Sequence, residues 1–236
     1  MNERTNEKAE ILSWEKIKEK HEEFLGKEQR ECAYEIAKEC IDKYWKGGEI
    51  PDKNFKKITD AVLTFLFLWN SAFYRTCSLE KGFIENIKIN IKNNKKKLDY
   101  FRGKCIYELS ISDKNDIKDL YKSFSKVLAC KKKVKGNKNS AKTIQSPVST
   151  AKFLHIICPN FFPLWDDKIA ERYGCSWGEN EFSFKSYWEY MVKVKEQINN
   201  IEGTKTNRIK EILKEYTILK LIDEYNYMCY TKGNKQ

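Results

Sequence analysis

Apolar positions recur at helical spacing along almost the whole chain, and strand-like alternation is nowhere convincing. Residues 5–24 set Ile11, Leu12, Trp14, Ile17 and Phe24 among charges, and Gly26 is expected to break that helix. Residues 28–46 repeat the spacing through Cys32, Ala33, Ile36, Ala37, Cys40, Ile41 and Tyr44, before Gly47, Gly48 and Pro51. Residues 52–75 are expected to form one helix, nearly all apolar from 61 to 69 and so buried on most sides, that carries Asn70, Ser71 and Arg75 at its end. A basic helix is expected over 80–97, another helix over 113–130, and long amphipathic helices over 181–198 and 206–228. Residues 98–112 fit a short helix or a turn, and 131–143 read as a mobile basic loop. Between them, residues 145–174 hold three of the four prolines, and a short apolar helix, a proline-bounded turn and a second helix opened by Asp166-Asp167 are expected there.

The chain has 236 residues, enough for one large domain or two small ones. The fold class expected is all-α. No stretch reaches the roughly 18 uninterrupted apolar residues of a membrane span, and the charged beginning of the chain does not read as a secretory signal. A cytoplasmic, monomeric protein with reduced, mostly buried thiols is therefore expected, since no two of the eight cysteines have CxxC spacing.

Charge changes the picture more than composition does. Residues 51–150 carry 22 Lys/Arg against 9 Asp/Glu, an excess larger than the net +11 of the whole chain. A basic block of this kind is the electrostatic footprint of a polyanion binder. Lys131, Lys132 and Lys133 are its densest point and are candidate phosphate contacts.

The familiar hydrolase and phosphate signatures are missing: there is no P-loop, GxGxxG, HExxH or GxSxG. With only His21 and His155, a histidine-based metal site is not expected, and no cofactor is called for. Of the two adjacent carboxylates, one suffices to cap the following helix. Asp167 is expected to be the cap, which leaves Asp166 beside Trp165 and the Phe161-Phe162 pair, where burial can tune a carboxylate.

Two segments together resemble the helix-hairpin-helix DNA glycosylase superfamily, which includes endonuclease III and 8-oxoguanine DNA glycosylase. S-P-V-S-T-A-K-F-L-H followed by W-D-D-K-I-A-E-R-Y is similar to its hairpin, helix and catalytic aspartate, and F-L-F-L-W-N-S-A-F-Y-R is similar to its apolar helix with an asparagine turn. The resemblance covers roughly residues 55–175. It implies two helical subdomains with a cleft between them, one formed by residues 52–158 and the other by 1–51 with 159–236. It further implies double-stranded DNA carrying a modified base as partner, with Asp166 as the catalytic carboxylate. Asn70 would fill the space left by a flipped base and Arg75 would read the base opposite. Pro147, Val148 and Ser149 would form the phosphate-binding hairpin turn, although the family's glycines are absent there. In ungapped register the family's Schiff-base lysine falls on Ala151. Lys152 comes one residue later, a rotation of about 100° on a helix, which implies a monofunctional enzyme with Lys152 as a helper, or as the nucleophile if the hairpin carries a one-residue adjustment. Trp69, Phe162, Trp165 and His155 are candidate pocket residues. Read without the resemblance, the same residues also suit a non-catalytic nucleic-acid-binding helical protein or a helical interaction module.

Overall fold

Helix α1 (Trp14–Lys27) begins where Ser13 accepts a hydrogen bond from the Lys16 amide, and it buries Trp14, Ile17, His21 and Phe24 on one face. It runs through Gly26, which meets open space and sits one residue from the helix end, where a glycine is tolerated. The computed structural model describes residues 12–46, 49–134, 137–176 and 183–232. Within these, α2 (Glu31–Tyr44), α3 (Asp52–Trp69) and α4 (Ser71–Tyr74) follow α1. Next come α5 (Phe83–Asn93), α6 (Lys95–Arg102) and α7 (Lys114–Val127), then strands β1 (Cys130–Val134) and β2 (Asn137–Ile144). The chain continues through α8 (Pro147–Ile157), α9 (Asp167–Arg172), α10 (Phe184–Asn199), α11 (Asn207–Glu215) and α12 (Ile218–Asn226), which passes into a π-turn, Tyr227–Lys232.

The described residues are mostly helical, as expected, and among them the sheet is a single two-stranded one. That hairpin corrects the expected loop over 131–143. Its antiparallel register sets Lys131 opposite Thr143 and Lys132 opposite Lys142. Cys130 is buried, whereas the side chains of Lys131, Lys132, Ala141, Lys142 and Thr143 are exposed, so these positions carry no apolar alternation. The base of the hairpin is fixed by paired backbone hydrogen bonds between Ser78 and Lys131, at 2.8 and 3.0 Å, and by a Cys77–Cys130 disulfide. The disulfide corrects the expectation of reduced thiols throughout. Of the six free cysteines, Cys158 and Cys175 are buried, whereas Cys32 and Cys105 are exposed.

Long expected helices are divided at identifiable residues. Asn70, at φ −130° and ψ 38°, ends α3 before the short α4. Tyr216 is extended, and Thr217 then caps α12 by accepting from the Lys220 amide, so residues 206–228 form two helices rather than one.

One continuous buried cluster spans the chain from Leu12 to Tyr225. Phe124 of α7 stacks on Phe153 of α8 at 4.1 Å between ring centroids. Helix α12 packs on α1, while α2 packs on both α3 and α8. His155 and Phe162 belong to this interior and not to any pocket, since both are fully buried. The Phe162 carbonyl can only accept, so His155 Nδ1 donates to it at 2.7 Å, and Nε2 accepts from the Tyr34 hydroxyl at 3.0 Å. Burial pushes the His155 pKa down to about 3. In the unfolded chain the ring protonates near its ordinary value, so the unfolded state binds more protons between about pH 6.5 and 3. Stability carried by neutral His155 is therefore complete above that window and lost as pH falls through it. Urea unfolding should show a loss on the order of 4 kcal/mol over this range, and His155→Gln should remove that slope.

Candidate functional site

A cleft of about 260 Å³ lies where the α1–α2 turn, the end of α3, the start of α8, the start of α9 and the end of α12 meet. Its lining includes Trp69, Asn70, Val148, Lys152, Trp165, Asp166 and Asp223. The site is best built from α8 outward.

Ser146 caps α8 by accepting from the Ser149 amide at 3.1 Å, and Pro147 occupies the first helical position. Pro147, Val148 and Ser149 are therefore the first turn of a helix, not a hairpin turn. Ser149 is fully buried, and Asn70 Nδ2 donates to Ser149 Oγ at 2.7 Å and to Ser146 Oγ at 3.1 Å. Asn70 thus ties the end of α3 to the start of α8.

Helical spacing puts Val148 and Lys152 on the cleft side, four residues apart, and turns Ala151 fully into the core. The rotation that separates Lys152 from an ungapped match turns it toward the cleft here. Its Nζ donates to the Trp69 carbonyl at 2.5 Å, one of the outward-pointing carbonyls at the negative end of α3. Burial pushes the Lys152 ammonium down to about 8, against the pull of Asp223 and Asp166. An amine held there is partly neutral near physiological pH, the form that acts as base or nucleophile.

Asp166 has extended backbone, at φ −132° and ψ −177°, as an N-cap residue requires. Its Oδ1 accepts from the Ile169 amide at 2.8 Å and its Oδ2 from the Thr231 hydroxyl at 2.9 Å. Asp166 rather than Asp167 is thus the cap. Asp167 is the first helical residue and is exposed, so the expected division of labour between the two is reversed. The cap role does not remove Asp166 from the cleft, which it lines. Trp165 beside it is buried, donates through Nε1 to the Pro147 carbonyl at 3.3 Å and stacks on Tyr190 at 5.5 Å.

Several residues of the site carry no motif. Arg30 forms a two-pronged ion pair with Glu28, both contacts at 2.7 Å, and Tyr227 donates to the same carboxylate at 3.1 Å. The Arg30 hydrogen bonds hold the Glu28 carboxyl down at about 2. Asp223 is buried, at 8 % exposure, and burial raises its carboxyl to about 7 despite Lys220 and Lys152 nearby. Behind the aromatic wall, fully buried Lys220 donates to Glu31 at 2.8 Å and Glu224 at 2.6 Å, and Glu224 also contacts His21 at 2.5 Å. The only sequence signal for these was the spacing of Lys220, Asp223, Glu224 and Tyr227 on one face of a helix.

Arg75 is exposed, donates to the Ser71 carbonyl and does not line the cleft. Lys131 and Lys132 are also exposed and outside it, and Lys131 contacts Glu80 at 3.1 Å. The Lys133 side chain lies outside the described residues. Among the described residues no group of three or more His, Cys, Asp or Glu side chains could hold a metal ion. No described helix is long and apolar enough to cross a membrane. No family model matches this chain, and no curated protein or solved structure matches it significantly.

Proposed function

We propose that this chain is a DNA N-glycosylase whose chemistry takes place in the cleft, on a base flipped out of duplex DNA. The observation that carries this reading is the convergence of Asp166 and Lys152, from two different elements, in one small cleft walled by Trp69 and Trp165. In this reading the helices on the two sides of the cleft form a glycosylase-like pair of subdomains, and one chain acts alone. The cleft is smaller than the roughly 300–1,000 Å³ of drug-sized ligand sites, a scale that suits part of a nucleotide.

The Asp166 carboxylate stabilises the positive charge that develops on the sugar as the N-glycosidic bond breaks, and it orients the incoming water. Its hydrogen bonds to the Ile169 amide and Thr231 fix its direction before the substrate arrives. Lys152 stands in the same cleft as an amine that is partly neutral. Base release by Asp166 and attack by Lys152 on the freed sugar are both compatible with this arrangement. Borohydride trapping that is lost in Lys152→Ala distinguishes a lyase from a simple glycosylase. Asn70 at the edge of the cleft and Arg75 beyond it are the proposed contacts to the opposite strand.

The basic surface supplies affinity. Residues 120–165 hold nine lysines and no Asp or Glu. Lys132 and Lys142 face each other across the hairpin, an arrangement of like charges that is unfavourable until an anion lies between them. Replacing both with Gln should weaken binding to all duplexes alike. The slope of log affinity against log salt should fall by about 2, near 0.9 for each phosphate that is no longer neutralised. The reading itself is tested with a panel of duplexes carrying different modified bases, scored for abasic sites. Duplex binding without base release from any of them favours a non-catalytic nucleic-acid-binding protein, and no binding even at low salt favours an interaction module.

A further inference from the structure

Of the carboxylates lining the cleft, Glu28 is held by Arg30 and Asp167 is exposed, while Asp166 and Asp223 have opposite surroundings. Asp166 accepts hydrogen bonds from a backbone amide and a hydroxyl. Asp223 has no hydrogen-bond partner among the described residues, although it is buried. Its neighbours on α12 do not serve it: Lys220 and Glu224 are engaged with each other and with Glu31 and His21 behind the aromatic wall. The charged groups near Asp223 are Lys152 from α8, Asp166 from the start of α9, and Lys220 and Glu224 on its own helix. Arg30, across the cleft on the α1–α2 turn, is held by Glu28.

Burial without a donor to its charged form favours the protonated form of a carboxyl, and the Asp223 oxygens still open onto the cleft, where such a proton can be given up. Two carboxylates in such opposite surroundings divide into an acid and a charge stabiliser. We propose that Asp223 is the general acid of this cleft, donating its proton to a ring nitrogen of the departing base while Asp166 faces the sugar. This rests on the glycosylase reading above. As the C1′–N bond breaks, its electron pair goes to the base and the Asp223 proton neutralises it. Water then forms the new C1′–O bond and passes its proton through Asp166 to solvent. Asp223 recovers its proton from solvent before the next turnover. The raised Asp223 carboxyl, at about 7, leaves a useful protonated fraction at neutral pH.

The test is single-turnover base release from a responsive duplex between pH 5.5 and 9, for the wild type, Asp223→Asn and Asp223→Glu. The wild-type rate should fall about tenfold per pH unit above an apparent pKa near 7. Asp223→Asn should lose about 10²–10⁴-fold at pH 6, with that alkaline limb gone and duplex affinity unchanged, while Asp223→Glu keeps the limb. With a modified base that departs readily unprotonated, Asp223→Asn should come within a few-fold of the wild type. Wild-type rates and an intact limb in Asp223→Asn, or equal losses on good and poor leaving groups, would overturn the proposal. A carbon-13 titration of labelled aspartates reads Asp223 without any activity. A carboxyl titrating near 7 that is absent from Asp223→Asn supports the assignment, and its absence from the wild type refutes it. A wild type that releases no base from any duplex refutes the glycosylase reading instead, and the titration separates that failure from this one.

Discussion

Replacing Asp166 with Asn is expected to abolish base release while leaving duplex binding within about twofold of the wild type. Asparagine is as good an N-cap as aspartate, so the Asp166→Asn side chain can still accept from the Ile169 amide and start α9. What it cannot do is oppose the positive charge that develops on the sugar. Losing a preorganised charge of this kind typically costs about 10²–10⁴-fold in rate. Asp166→Ala mixes that loss with the loss of the cap, about 1 kcal/mol of stability. The asparagine variant is therefore the cleaner reagent, and comparing the two separates chemistry from folding. Circular dichroism melting should find Asp166→Asn close to the wild type and Asp166→Ala lower.

The second large effect concerns stability. Lys220 is fully buried and its one ammonium is shared by Glu31 and Glu224, lying 4.4 Å from the Phe24 ring centroid and 5.1 Å from that of Trp69. Lys220→Met would keep much of the volume but leave two buried carboxylates without that shared ammonium. Breaking a buried pair from one side costs about 3–5 kcal/mol, a large share of the roughly 5–15 kcal/mol that holds a domain folded. Urea unfolding should show a loss of that size. Replacing the whole network with neutral residues of similar shape, Lys220→Met with Glu31→Gln and Glu224→Gln, should recover most of it, because no unpaired charge then remains. If Lys220→Met alone proved neutral, the network would not be holding α12 against α1 and α2. Because Phe24 and Trp69 line the cleft and Lys220 lies against both, loss of the network should also distort the cleft wall.

The sequence disclosed what periodicity and local chemistry can disclose. The apolar run before Asn70 reads as a helix buried on most sides; α3 is a helix there, but it buries one face and leaves Phe67 and Leu68 exposed. The aspartate pair after Trp165 reads as a helix start with one carboxylate to spare. Which of the two caps was not legible, because both are adjacent and of the same type, and backbone conformation decides it. Asp166 is extended and Asp167 is already helical. The hairpin escaped notice because its described side chains at 131, 132 and 141–143 are exposed on both strands, so burial wrote no period-two pattern at these positions. Which way Lys152 faces was not legible, because a sequence match carries no helix rotation, and the rotation is set by Ala151, Leu154 and His155 packing inward.

The buried ionic residues were hidden for another reason. Lys220, Asp223 and Glu224 look like the solvated face of an amphipathic helix. Their partners Glu31 and His21 lie 189 and 203 positions away along the chain. Only the division at Tyr216 and Thr217, which frees α12 to turn that face inward, makes it an interior face. One side of the cleft is built from that end of the chain, through Asp223, Tyr227 and Thr231. The residues that α3, α8 and α9 bring to the cleft were therefore singled out from the sequence, and those that complete it from α12 onward were not.

The most direct measurement of the central claim is the amount of free base released from a panel of duplexes, each carrying one modified base, by the wild type and by Asp166→Asn side by side. The account predicts free base and a matching abasic site from at least one duplex with the wild type, and neither with Asp166→Asn although it binds that duplex equally well. No free base from any duplex that the wild type binds, or equal release by both proteins, would contradict it.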